Sequence, residues 1–315
     1  FNNSITAMKF ICLMISFITV AVCNGQATSL GQDPFVVVLG TLQDGGSPHM
    51  GCEKACCKNP DASRKVVSLG LIDPVSNKKF LLEASPDFVA QTRMLKAFLP
   101  SSANTLPDGI FLTHAHIGHY AGLMFLGREA MNSKAVPVYA MPKMKSFLEN
   151  NGPWSQLITL NNIQINPLSE GKWEKISPSL RVKPILVPHR DEFSETVGFI
   201  IEGPHKKLLF IPDIDKWEKW RTDIVSLVKE VDHALIDGTF FSAAEVGNRN
   251  IAEIPHPLVE ESMKLFDSMP AKEKEKIMFI HFNHTNPLLN EESKEARLVK
   301  SKGFRIAKIN LRIDL

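Results

Sequence analysis

The stretch from Phe111 to Leu123 reads Phe-Leu-Thr-His-Ala-His-Ile-Gly-His-Tyr-Ala-Gly-Leu, and it limits the fold more than any other part of the chain. His114, His116 and His119 stand at i, i+2 and i+5, after an apolar run and before a run of small residues. Along an extended backbone, residues i and i+2 point the same way, so His114 and His116 converge. A turn into a helix then swings His119 to the other side of the same point. Imidazoles gathered in this way suit a metal ion, because neutral imidazole is the usual nitrogen ligand of Zn²⁺ and also suits iron. The fold must therefore end a β-strand at a site and start a helix there at once.

The rest of the chain repeats that alternation. Apolar, β-rich runs occur at Pro34–Gly40, Val66–Asp73, Lys79–Ala84, Gly109–Thr113, Val136–Ala140, Leu180–Val187, Val197–Glu202, Lys207–Ile211, Ala234–Asp237 and Ile277–His281. Helical spacing appears at Phe88–Phe98, after a Ser85-Pro86-Asp87 start signal, and at Pro142–Glu149, Thr222–Lys229, Pro257–Ser268 and Asn290–Ser301. Hairpins followed by mixed strands and helices predict an α/β sandwich: two mixed sheets with helices on the outer faces. No Pro/Gly/Ser-rich linker interrupts the pattern, so residues 32–315 read as one domain. A net charge of +2 gives no electrostatic case for nucleic-acid binding, and 44 % hydrophobic with 22 % charged residues is ordinary globular composition. The expected partner is a small-molecule substrate; oligomeric state is left open.

The N-terminal part reads as a targeting segment. Met8-Lys9, the apolar run Phe10–Val22 and the boundary Cys23-Asn24-Gly25-Gln26-Ala27 describe a secretory signal peptide over residues 8–27, preceded by an upstream or non-native remnant at residues 1–7. The apolar run is shorter than the roughly 20 residues of a spanning helix, so no stable membrane insertion is expected after cleavage. The protein is expected to be secreted or periplasmic. A lipid anchor at Cys23 is disfavoured by the bulky Val22 before it. Beyond the signal the cysteines are Cys52, Cys56 and Cys57. An odd number so closely spaced makes a poor disulfide framework and a good thiolate metal cluster; the competing reading is one strained disulfide and a free thiol.

The histidine stretch resembles the His-x-His-x-Asp-His signature of the metallo-β-lactamase superfamily, whose fold is a four-layer αββα sandwich with a metal site at one edge. Further segments follow in that family's order: Val187-Pro188-His189, the strand ending Ile211-Pro212-Asp213, and Met278-Phe279-Ile280-His281. Within the superfamily, the Gly45-Gly46-Ser47-Pro48 loop and Ile280–Pro287 resemble the pyrroloquinoline-quinone biosynthesis protein B group. The resemblance implies a metal-dependent hydrolase whose metal ligands are His114, His116, His119, His189, Asp213 and His281. One or two Zn²⁺ ions are implied there, with iron or manganese as alternatives. It also implies an activated water attacking an ester, amide or phosphodiester, with Asp213 as ligand and base and His119 or His281 as acid. An iron-dependent oxygenase and a non-catalytic metal-binding protein are the alternatives. A related phosphodiesterase pairs an N-terminal cysteine cluster with a His-x-x-His; by that analogy Cys52, Cys56, Cys57 and His284 hold a structural zinc, with His49 competing for the fourth place.

One position departs from the signature. Gly118 stands where the family carries its aspartate, so the position built from His119, His281 and Asp213 lacks a carboxylate of its own. Asp44, Asp191 and Asp237 are candidates to replace it. On this reading Gly118→Asp raises the affinity of that second position. Arg190 reads either as a contact for an anionic group or as part of a solvated charged loop, Asp237 either as a brace for a ligating histidine or as a helix cap, and Ser242–Pro257 as a lid carrying His256.

Overall fold

A computed structural model describes residues 33–247 and 250–315. The expected signal peptide lies outside them, and among the described residues no helix is long and apolar enough to cross a membrane.

The strands are β1 (Phe35–Gly40), β2 (Ser68–Asp73), β3 (Lys78–Leu82), β4 (Gly109–Phe111), β5 (Val136–Ala140), β6 (Ile163–Pro167), β7 (Glu174–Lys175), β8 (Arg181–Leu186), β9 (Val197–Glu202), β10 (Lys207–Ile211), β11 (His233–Asp237), β12 (Ile277–Ile280), β13 (Arg305–Ile306) and β14 (Arg312–Asp314). They form two seven-stranded sheets, ordered β14-β1-β2-β3-β4-β5-β6 and β13-β12-β11-β10-β9-β8-β7. Both are mixed. The first is antiparallel from β14 to β3 and parallel from β3 to β6. The second is antiparallel from β7 to β10 and parallel from β10 to β13.

The continuous apolar runs follow from burial on both faces of each sheet. In β1, Val36 and Val38 enter the core between the sheets, whereas Phe35, Val37 and Leu39 face a second core under helices. In β10, Leu208 and Phe210 point inward and Leu209 and Ile211 outward. The helix Phe88–Phe98 and the helix Pro142–Asn150 cover the first sheet through Phe88, Leu95, Met144 and Leu148. Val228, Val259, Met263 and Val299, from three further helices, cover the second. The layers are αββα, as the sequence implies.

Each apolar run named from the sequence is a strand. The strands not anticipated, β6, β7, β13 and β14, are the outermost strand at each side of the two sheets. Such strands are short and less apolar because one side meets no neighbour. Three helices begin later than expected, at Ile224, Val259 and Lys294; Asp223 accepts from the Val225 amide and Ser293 from the Ala296 amide, so these two side chains cap the first and the last. Asp87 precedes a helix as expected but does not cap it; its carboxylate accepts from the Val66 amide at 2.8 Å.

Strand direction places the site. β1, β3 and β4 run parallel to one another, as do β8, β10, β11 and β12, so their C-terminal ends collect at one edge of the sandwich.

Candidate metal centre

That edge gathers side chains from far-separated parts of the chain. After β4 come Thr113, His114 and His116, and His116 precedes a short helix, Ile117–Tyr120, that carries His119. After β8 comes His189, after β10 Asp213, after β11 Asp237 and Thr239, and after β12 His281. Each anticipated ligand reaches the edge.

With Asp44 and His256 they form three overlapping groups that share Asp213, the third being Asp213, Asp237, His256 and His281; the anticipated ligands make up the first two. In the first, His114, His116, His189 and Asp213 bring one ligand atom each to within 4.8 Å of the others. His114 Nε2 lies 3.5 Å from Asp213 Oδ2, His189 Nε2 lies 3.2 Å from Asp213 Oδ1, and His116 Nδ1 lies 2.8 Å from His114 Nε2. In the second group, Asp44, His119, Asp213 and His281 converge on the same scale. Asp44 Oδ1 lies 3.0 Å from His119 Nε2 and 3.5 Å from His281 Nε2, and Asp213 Oδ2 lies 3.7 and 3.9 Å from those same nitrogens. Ligands about 2.1 Å from one tetrahedral ion stand about 3.4 Å apart, and these spacings bracket that value.

Bonding on the far side of each ring fixes which nitrogen faces inward. The Thr239 hydroxyl donates to Asp237 Oδ1 at 2.7 Å and accepts from His281 Nδ1 at 2.8 Å, which leaves the His281 Nε2 lone pair toward the site. His114 Nδ1 pairs with the Thr113 hydroxyl at 2.8 Å, and His116 Nε2 with Glu192 at 3.1 Å. Outer partners of this kind orient metal-binding imidazoles. Arg190 stands 3.4 Å from the same His116 nitrogen and is exposed.

The inward atoms are buried and largely unpaired. His119 Nε2, both ring nitrogens of His189, His281 Nε2, Asp44 Oδ1 and Asp213 Oδ1 have no hydrogen-bond partner. Buried polar atoms are rarely left so, and a cation at each group would satisfy all of them except His189 Nδ1, because one ring offers an ion a single nitrogen. The residues therefore fit divalent metal. Burial opposes charge on His119, yet Asp44 and Glu83 hold its pKa well above the ordinary value, so carboxylates dominate the field at this edge. Burial opposes ionisation of Asp213, yet His189, His256 and His281 hold it well below the usual carboxylate range. Burial likewise opposes charge on Asp44, which His119 holds well below its ordinary value. Burial, reinforced by the neighbouring His119, keeps the His114 imidazole neutral, as a ligand requires.

Sequence reading missed two contributors. Glu83 follows β3, is fully buried, and sets Oε2 3.5 Å from His119 Nδ1. Its φ is +73°, and that of His281 is +67°, left-handed values that non-glycine residues adopt at a cost. The position of Glu83, at the C-terminal end of an apolar strand, was its only signal. His256 does not ride on an outlying lid. It is buried in the edge, with Nδ1 2.9 Å from Asp237 and 3.1 Å from Asp213. Burial works against its charge, but Asp237 and Asp213 push its pKa up to about 10. Asp237 braces the site as expected, through His256 and Thr239. His119 and His281, considered as proton donors, instead turn toward carboxylates as ligands do.

Of the candidates to replace the missing aspartate, Asp44 reaches the second group. Asp191 instead accepts from Thr196 at 2.9 Å, and Asp237 is engaged with His256. A Cβ built on Gly118 would lie 2.6 Å from the Cα, Cγ and Oδ1 of Asp44. The expectation that Gly118→Asp strengthens the second position is thereby reversed, because the space is already filled.

A separate cluster lies in the loop after β1. Cys52, Cys56, Cys57 and His284 bring ligand atoms within 4.8 Å of one another. The cysteines are free thiols, with Cys56 and Cys57 Sγ 3.9 Å apart, far beyond a disulfide bond and close to the about 3.8 Å between sulfurs on one tetrahedral Zn²⁺. His49 stacks on His284 with ring centroids 4.3 Å apart and stands outside the group. Burial and the neighbouring Cys57 push the Cys56 thiol up to about 11. Between cluster and edge lies a cavity of about 390 Å³ lined by Lys54, Glu245, His256 and His284 among others.

Comparison with known proteins agrees with this geometry. Residues 78–282 match the beta-lactamase superfamily domain. The coenzyme PQQ synthesis protein B of Methylorubrum extorquens (strain PA1) is 26 % identical, covering 89 % of this chain and 99 % of that protein. The crystal structure of Zn²⁺-bound PqqB from Methylobacterium extorquens superposes with a TM-score of 0.71 at 23 % identity, over 89 % of this chain and 100 % of that one. A diphosphatase from the PhnP family follows with a TM-score of 0.63 at 18 % identity, over 90 % of this chain and 97 % of that one. With its two mixed sheets, their helical flanks and the ligand-rich edge, the chain belongs to the beta-lactamase superfamily and is similar to the PQQ synthesis protein B group.

Proposed function

We propose that the protein is a metal-dependent hydrolase acting on a small ester, amide or phosphodiester substrate. The observation that carries this reading is the convergence of buried, unpaired imidazole nitrogens and carboxylate oxygens around two adjacent points. His114, His116, His189 and Asp213 would hold one divalent cation, and Asp44, His119, His281 and the shared Asp213 a second. The chemistry that cations held there would supply is a bound water with its pKa lowered toward neutrality and a polarised oxygen in the bond to be broken. The protein residues do the rest. Asp213 ties the two positions together and is the nearest base. The Asp237–Thr239–His281 chain holds one ring in place. His256, oriented through Nδ1 by two carboxylates and lining the cavity, is the side chain positioned to carry a proton to a leaving group there.

The test is metal analysis of protein purified without chelators, followed by hydrolysis of bis(p-nitrophenyl) phosphate and simple aryl esters. Zinc beyond the cysteine cluster, with turnover abolished in His189→Ala, supports the reading. Metal confined to the cysteines sinks it. An iron-dependent oxygenase is the second reading, favoured by similarity to PQQ synthesis protein B and by histidine–carboxylate ligation; bound iron with oxygen uptake would select it. Export is a separate proposal resting on the Met8–Ala27 pattern. N-terminal sequencing of protein recovered outside the cytoplasm should begin between Cys23 and Thr28; an uncleaved N-terminus contradicts it.

A further inference from the structure

The geometry points to Asp44 and Gly118 as a relocated ligand pair: the carboxylate that holds the second cation comes from the loop after β1, and Gly118 is glycine to make room for it. The inference deepens the cation-binding reading above and rests on it.

Three observations carry it. The first is occupancy of space. Any side chain at 118 would begin 2.6 Å from the Asp44 carboxylate and from its Cα. Real Cβ atoms do not approach so closely, and one of the atoms met is the backbone Cα of Asp44 rather than the far end of a flexible side chain. The second is aim. Asp44 Oδ1 is buried and faces two imidazole nitrogens at once, His119 Nε2 at 3.0 Å and His281 Nε2 at 3.5 Å. One carboxylate oxygen set against two imidazoles and within 4.8 Å of Asp213 is arranged as ligands around one point are.

The third is how Asp44 is held. The β1–β2 register shifts between Val38 and Gly40, and the chain leaves the sheet there. It is then clamped against the residue that follows His281. The Gln43 amide donates to the Phe282 carbonyl at 2.8 Å, and the Phe282 amide to the Thr41 carbonyl at 2.7 Å. The backbone carrying Asp44 is thus hydrogen-bonded to the backbone beside His281, another ligand of the same position. That fixes the carboxylate as firmly as placement within the histidine motif would.

The test is zinc binding by metal-stripped, refilled protein, with bound metal counted by mass spectrometry and affinity by calorimetry. The proteins are wild type, Asp44→Asn, Gly118→Asp and the exchange variant Asp44→Gly/Gly118→Asp. Asp44→Asn should lose one edge ion relative to wild type, with its affinity falling by more than the ~10–100-fold typical of losing an outer partner. Gly118→Asp should also lose it and melt at lower temperature. The exchange variant should regain the ion. If Asp44→Asn keeps every edge ion of wild type, the assignment is overturned while the hydrolase reading stands. If wild type itself binds zinc only at the cysteines, both fall together. Failure of Gly118→Asp to fold leaves the Asp44→Asn comparison decisive.

Discussion

The two metal-ligand groups at the edge and the cysteine cluster look alike as sets of atoms, but they are built differently. Most of the edge is assembled from strand ends whose backbones are locked in two sheets, and His114, His119, Asp213 and His281 among its ligands are buried. The cluster sits on a loop with one short helix, Ala55–Lys58, and Cys52 and Cys56 are partly exposed. Sheets position the edge whether or not a cation is present. The loop has little apolar burial of its own, so its order must come from the ligands it holds. The first arrangement is a pre-organised site and the second a staple.

The largest test of that contrast attacks the sheets. Phe199 is fully buried between them, in edge-to-face contact with Phe111 at 5.7 Å. Phe199→Ala should cost about 3–5 kcal/mol and appear as a lowered denaturation midpoint, with loss of edge metal following loss of fold. If edge metal falls while the midpoint holds, the sheets do not set the site. Next in size is Asp213→Asn. Asp213 belongs to both edge groups, so bound metal should fall to the cysteine ion alone while circular dichroism stays unchanged. Retention of both edge ions would show that Asp213 is not shared.

Cys56→Ser probes the other region. It should release one ion, open residues 49–58 to proteolysis, and leave edge metal in place. Rapid cleavage of the wild type in the same segment would mean that the cluster is no staple. The smallest effect is expected for Glu192→Gln, which weakens the bond that orients His116. Zinc affinity of the first edge group should drop about 10-fold with no change in ion count or stability.

The same contrast explains what was legible in the sequence. The ligands on strand ends could be read because apolar runs announce strands, and strand direction brings their ends together. His114, His116, His189, Asp213 and His281 all follow such runs. The outermost strands β6, β7, β13 and β14 were not legible, since a strand with one neighbour needs little apolar sequence. His256 lies in a polar segment with no periodicity, and only the fold brings it to Asp213 and Asp237. Asp44 was one candidate among several. Its selection depends on the pairing of the Gln43 backbone with Phe282, far along the chain, that no local pattern encodes. Gly118 read as a loss in the sequence and is, in three dimensions, the space that Asp44 fills.

The account stands on the edge being a cation site. The most direct measurement is a crystal structure of the refilled protein with anomalous data at the zinc absorption edge. One peak is expected among His114, His116, His189 and Asp213, a second among Asp44, His119, Asp213 and His281, and a third at the cysteine cluster. A peak at the cysteine cluster alone would contradict it.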